Sequence, residues 1–365
     1  MGTARGRVAT YLVFAAFFGN CVYACNSHEN DAAVGTIFEA SEPWTRDVSE
    51  EVPSAESPGI IDYLQGKGWG TGAMRLEFSL ELLYADATTP MKDFTPRASP
   101  PWSQDDAEFY TPDCDHVPFP VPEGGAIEGN DDYRCSSGGD CHLLVLHRPN
   151  KKLYEMYRAF TPALDGTFDG TFVGGCTIVW DLAREYPDNL RGDGCTSADA
   201  GGFPIGAMLA TADEAASGNI AHALRFILPN ARIRKHVYVH PGTHTTGPTS
   251  GPDEAPPYGV RLRLRKDFPL DALPNDAART LAKALQTYGM FLADGGAKSP
   301  NDENVPESDT RSPLTVANDR FNLHKWADLG VDHHSLALLE PKWFDVVQMG
   351  EIQSTRECTR NFSAP

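Results

Sequence analysis

A carboxylate held between apolar neighbours can keep a proton near neutral pH, and Glu155 is placed to do so. In Lys152 to Tyr157 (KLYEMY) it shares a strand face with Leu153 and Tyr157. That setting suits a general acid; the alternative is an edge-strand glutamate facing water. Asp199 lies in Thr196-Ser197-Ala198-Asp199-Ala200-Gly201-Gly202, where two glycines let a ligand come close to the backbone. The same Ser, Thr and Asp can instead cap a turn. His222 aligns with Ile220, Leu224, Phe226 and Leu228. It reads as a core ring bonded to a carbonyl or as a base on a cleft floor. His142 opens the strand before Glu155 and is expected near it. Glu155 and Asp199 would serve a glycoside hydrolase as its two carboxylates. A polysaccharide lyase would use His142 or His222 as base, with Arg261 or Arg263 neutralising a uronate.

Arg261, Arg263 and Arg265 share one strand face opposite Val260, Leu262 and Leu264. Such a row can grip acidic sugars, or pair with the protein's own Asp and Glu on a solvated face. His236, Tyr238 and His240 share another face, and His244 follows a Pro-Gly turn. Tyr238, His240 and His244 suit the wall of a glycan cleft. The alternatives are a metal site on His240 and His244, or a plain solvated face; no metal or other cofactor is expected. The chain has no Gly-x-Ser-x-Gly elbow, no phosphate-cradling loop with Lys and no His-Glu-x-x-His pair.

The elements that must position these groups are mostly short strands between Gly, Asp and Pro clusters. His142 to His147 and Lys152 to Tyr157 predict a hairpin. Thr171 to Val173, Cys176 to Leu182, Ile220 to Leu228, His236 to His240 and Gly259 to Lys266 read as further strands. One amphipathic helix is expected over Asp276 to Tyr288, capped by Asn275 and ended by Gly289. The expected fold is mainly β, an antiparallel sandwich of jelly-roll type.

Six stretches resemble a broad group of functionally unassigned secreted bacterial proteins, many of them lipoproteins. They are Pro118 to Gly129 (PFPVPEGGAIEG), Asp140 to Tyr157, Cys195 to Ile205 (CTSADAGGFPI), Ile220 to Pro229, Pro256 to Phe268 and Gln286 to Gly296 (QTYGMFLADGG). They occur in the same order within residues 115–296, a region of about half the chain. The resemblance implies one β-rich domain with a shared site and implies no reaction. The group usually continues past Asp294 with Asn-Gly and a Trp-containing segment; here Gly295 and Gly296 precede a polar loop.

Location is read from the first residues. Arg5 and Arg7 precede the apolar run Val8 to Phe18, and Val22-Tyr23-Ala24-Cys25 follows. This predicts a signal peptide over 1–24 and acylation of Cys25; an ordinary secretory signal is the alternative. Residues 25–58 read as a lipidated cysteine and a disordered acidic tether, and 59–365 as one β-rich domain. The net charge of −19 becomes −21 once Arg5 and Arg7 are removed. A chain this acidic offers no general surface for nucleic acid, and it would meet membrane only through its lipid. Beyond Cys21 and Cys25 six cysteines remain, which predicts disulfides in an exported chain. Cys135 with Cys141 is the favoured pair, and Cys176 with Cys195 is possible. The expectation is a surface-anchored carbohydrate-active protein of the bacterial envelope, or else a non-catalytic lipoprotein that binds a glycan or a protein.

Overall fold

The computed structural model describes residues 1–2, 37–39, 41–69, 73–96, 111–135, 141–159, 172–297, 314–347 and 349–363. The chain divides into two units, Met1–Ala33 and Val34–Pro365. The second unit carries the strands β1 (Leu76–Leu80), β2 (Leu82–Ala85), β3 (Met91–Lys92), β4 (Phe94–Pro96), β5 (Phe119–Pro120), β6 (Leu143–His147), β7 (Lys152–Tyr157) and β8 (Phe172–Gly174). They continue as β9 (Cys176–Asp181), β10 (Leu224–Pro229), β11 (Val237–Tyr238), β12 (Arg261–Leu264), β13 (Met290–Ala297), β14 (Leu314–Ala317), β15 (Phe344–Val347) and β16 (Gln353–Ser354). Its helices are α1 (Ser57–Lys67), α2 (Ala212–Ser217) and α3 (Asp276–Thr287).

The fold is mainly β, but its sheets are mixed. One sheet runs β1-β14-β10-β13-β12-β15 and a second runs β2-β6-β7-β9. The pairs β1–β14, β10–β13 and β2–β6 are parallel, which corrects the expected all-antiparallel jelly roll. Alternation reports which face is buried, not which strand lies alongside or in which direction. The β6–β7 hairpin forms, with Leu144 opposite Glu155.

Parity along the strands sets three cores. Leu224, Phe226 and Leu228 of β10 pack with Leu262 and Leu264 of β12 and with Leu281 and Leu285 of α3. The opposite face of this sheet, through Phe291 and Ala293, meets Leu144, Leu146 and Leu153 of the second sheet. Leu143, Val145 and Met156 face a third cluster. Asn275 caps α3 by accepting from the Ala278 amide, and Gly289 follows at φ +71°, a value that favours glycine.

The expected tether boundary at residue 58 moves toward the amino terminus. Phe38, Trp44 and Val48 are buried, and the Ala223 amide donates to the Trp44 carbonyl. Arg261 and Arg263 hold this segment down. Arg261 donates to the carbonyls of Pro43, Arg46 and Tyr288, and Arg263 to those of Val48, Ser49 and Glu51. Arg261 and Arg263 are therefore a clamp on the chain's own backbone, with Arg263 also paired to Asp345. Arg265 alone stays exposed, paired with Asp267.

Disulfides join Cys114 to Cys176, Cys135 to Cys141 and Cys195 to Cys358. The favoured pair forms, and the Cys176–Cys195 alternative does not. Three disulfides point to an oxidising, extracytoplasmic compartment. Among the described residues no helix is long and apolar enough to cross a membrane. Cys25 lies outside the described residues.

Candidate functional site

The site is a cavity of about 1290 Å³ where the ends of the two sheets meet three loops and the carboxy-terminal tail. His142, Tyr157 and Arg158 border it from the β6–β7 hairpin, and Asp294 and Gly295 from β13. Ser197, Ala198 and Ala200 come from the Asp199 loop, and His244 and Thr246 from the loop after β11. Asp113 and Cys176 lie on the wall braced by one disulfide, and Arg356 and Cys358 on the tail braced by another.

Beneath the wall sits a charged network. Asp199 is fully buried and receives Arg225 on both oxygens, at 2.7 and 3.1 Å. Arg225 also donates to Thr315 Oγ1 and lies 3.7 Å from Asp294 Oδ2. Strand parity explains its direction: Leu224, Phe226 and Leu228 fill the helix-side core, so Arg225 points between the sheets. Burial raises the Asp199 carboxyl, and the Arg225 guanidinium opposes this. Asp294 is pushed up to about 7 by burial and by the charge of Asp199, against the pull of Arg225 and His142. Its side chain is 26% exposed and borders the cavity.

His142 contributes differently. Its Nδ1 lies 2.6 Å from Glu128 Oε2 and its Nε2 3.0 Å from the Ala198 carbonyl. Both ring nitrogens thus face acceptors, and neither is turned to the cavity as a lone pair. Tyr157 packs on it at 5.4 Å between centroids.

His244 is the base-like imidazole of the cavity. Its Nδ1 lies 2.8 Å from the Ala200 carbonyl, so that nitrogen carries the proton and Nε2 keeps its lone pair. Burial lowers its pKa, which keeps the ring neutral at pH 7. The next amide, Gly201, donates to the carbonyl of Ala293, the neighbour of Asp294. His244 is thus tied to the Ala200–Gly201 turn directly and Asp294 through its neighbour Ala293, and both side chains line the cavity.

The sequence expectations divide on this geometry. His142 and His244 line the cavity, and Asp199 lies directly behind it. Glu155 is fully buried away from the lining, accepting from Trp180 Nε1 and the Gly206 amide, and burial raises it to about 7. His222 precedes β10 instead of lying in it, and pairs with Glu214 at 3.3 Å. Tyr238 and His240 both bond Asp193 and do not line the cavity. The metal alternative fails on the same facts, and no group of three or more His, Cys, Asp and Glu fit to hold a metal occurs among the described residues. Arg261 and Arg263 are remote from the cavity lining.

Arg225, Asp294, Glu128, Arg158, Asp113 and Arg356 escaped the sequence reading. For two a signal was present: Arg225 and Asp294 are each the one Asp, Glu, Lys or Arg of a stretch that carries the resemblance. The chain matches no protein-family model, no curated protein and no solved structure.

Proposed function

We propose that the cavity binds a glycan and cleaves a glycosidic bond by general acid–base catalysis, with Asp294 as acid and His244 as base. The observation that carries this is that a carboxyl whose pKa burial raises and an imidazole whose pKa burial lowers line one cavity. Two titratable groups pushed toward neutrality in opposite senses are what such a reaction needs at neutral pH. Arg225 and Asp199 set the acid: their pairing leaves Asp294 beside a carboxylate that disfavours its ionisation. Tyr157, packed against His142 and under Arg158, gives the lining an aromatic edge. His142, engaged on both nitrogens, serves to orient.

The test is turnover on a panel of neutral and acidic polysaccharides. Asp294→Asn and His244→Gln should each cut turnover by about 10²–10⁴ while the fold is retained. Wild-type rate should fall as pH rises through about 7, where Asp294 loses its proton. Binding without turnover would assign the cavity to a non-catalytic glycan-binding protein. We also propose that Cys25 carries the lipid that holds the domain at the envelope. Cys25→Ser should then move the protein to the soluble fraction, and persistent membrane partition would refute the anchor.

A further inference from the structure

The carboxy-terminal tail contributes a cation to the cavity, and its placement is built. Disulfide Cys195–Cys358 ties it down, and Arg360 reaches buried Asp115 at 2.7 Å. Its backbone lies directly on two glycines. A Cβ at Gly194 would stand 2.6 Å from the carbonyl oxygens of Arg356 and Glu357, and one at Gly192 would stand 1.9 Å from that of Thr359. No side chain fits there, so the tail and the Gly192–Gly194 loop are mutually specified. Arg356 borders the cavity from this fixed backbone, donates once to Gln353 Oε1 at 2.7 Å, and makes no ion pair among the described residues. Arg356 is exposed and its charge helps hold the Asp193 carboxyl below its usual range; where it borders the cavity it is also open to the carboxylate of a ligand. Long-range repulsion of a polyanion does not oppose this, because charges more than about 8 Å apart are screened at physiological salt.

Resting on the acid–base reading of the cavity, we propose that the substrate is a uronate-bearing glycan, that Arg356 binds the uronate carboxylate, and that cleavage is β-elimination. The step balances without water or any other reactant. His244 Nε2 takes the proton from C5, which the Arg356-bound carboxylate renders acidic. The C5–H electron pair becomes the C4=C5 double bond, and the C4–O bond breaks. Asp294 gives its proton to the departing oxygen, and the two residues exchange protons with solvent afterwards.

The experiment uses the oxidised full-length protein with oligomers of galacturonate, glucuronate and mannuronate–guluronate, their methyl esters, and neutral oligoglucosides. Ultraviolet absorbance reports the unsaturated product, and a reducing-end assay reports any cleavage. The expected result is unsaturated product from a free uronate, with Arg356→Gln lowering kcat/KM about ten- to hundredfold, as loss of a charge-assisted bond does. Arg265→Gln, the same charge change at an exposed position, should leave the rate unchanged. Cleavage of neutral or esterified oligomers at equal rates, or new reducing ends without unsaturation, would overturn the inference and leave the acid–base site standing. Equal rates for Arg356→Gln and wild type on a free uronate would overturn the role of the tail. Inactivity of the wild type on every oligomer would overturn the acid–base reading itself, and this inference with it.

Discussion

Two buried arginines on the same face of the same sheet have opposite fates. Arg225 on β10 meets carboxylates: Asp199 on both oxygens and Asp294 close by. Arg261 on β12 donates to carbonyls, those of Pro43, Arg46 and Tyr288, and lies over the ring of Phe291. Burial would lower both guanidinium pKa values. At Arg225 the attraction of Asp199 and Asp294 outweighs it and the pKa is raised. At Arg261 burial prevails, with Arg46 adding repulsion, and the pKa drops to about 9. Carbonyl dipoles satisfy donors but do not balance a charge. One arginine thus organises a cavity wall and tunes an acid. The other fastens the amino-terminal segment to the sheet and has no part in the site.

The largest expected effect comes from breaking the first pairing. Arg225→Met leaves Asp199 buried without its partner and should cost about 3–5 kcal/mol in urea unfolding. Adding Asp199→Asn should recover much of that loss. A single-variant cost below about 1 kcal/mol would show that the pair is not what holds the wall. Arg261→Met removes donors from three carbonyls and should cost about 1–3 kcal/mol. The loss should be local: hydrogen exchange should quicken over residues 42–51 while β6 and β7 keep their protection. Uniform loss across both sheets would refute the clamp.

The smallest effect sharpens the comparison with a third pair, His222–Glu214, where charge again meets charge out of water. Burial lowers His222, but Glu214 outweighs it and the folded pKa lies above 6.5. Burial raises Glu214, but His222 outweighs it and the folded pKa lies below 4.5. Stabilisation from His222 is complete below 6.5 and is lost as pH rises through its folded value. Stabilisation from Glu214 is present above 4.5 and is lost as pH falls through its folded value. The urea midpoint of wild type relative to His222→Gln should therefore peak between 4.5 and 6.5, and a flat difference would rule out the ion pair.

Local features were legible in the sequence. The β6–β7 hairpin followed from two apolar runs around a Pro-Asn turn. Helix α3 followed from its spacing and the Asn275 cap, and Cys135–Cys141 from a short flexible loop. At the site, His142, His244 and the Asp199 loop were named. Their partners lie far along the chain and are not legible in the local sequence. Asp199 looked like a catalytic carboxylate until Arg225 occupied both its oxygens, and the arginine face looked like a sugar grip until residues 43–51 covered it.

Side-chain alternation, caps, turns and cysteine count are set by residues within a few positions, so the sequence by itself determined a β-rich, disulfide-bearing chain with one strongly amphipathic helix. Strand direction and order, the 163-residue span of Cys195–Cys358, and the placing of His244 and Asp294 on one cavity are matters of tertiary structure. Each depends on which distant segments pack together, and alternation is indifferent to the identity of the neighbour. The same holds for protonation: an acid such as Asp294 acquires its proton from burial and from charges brought in by other strands, and neither is written in its own stretch of chain.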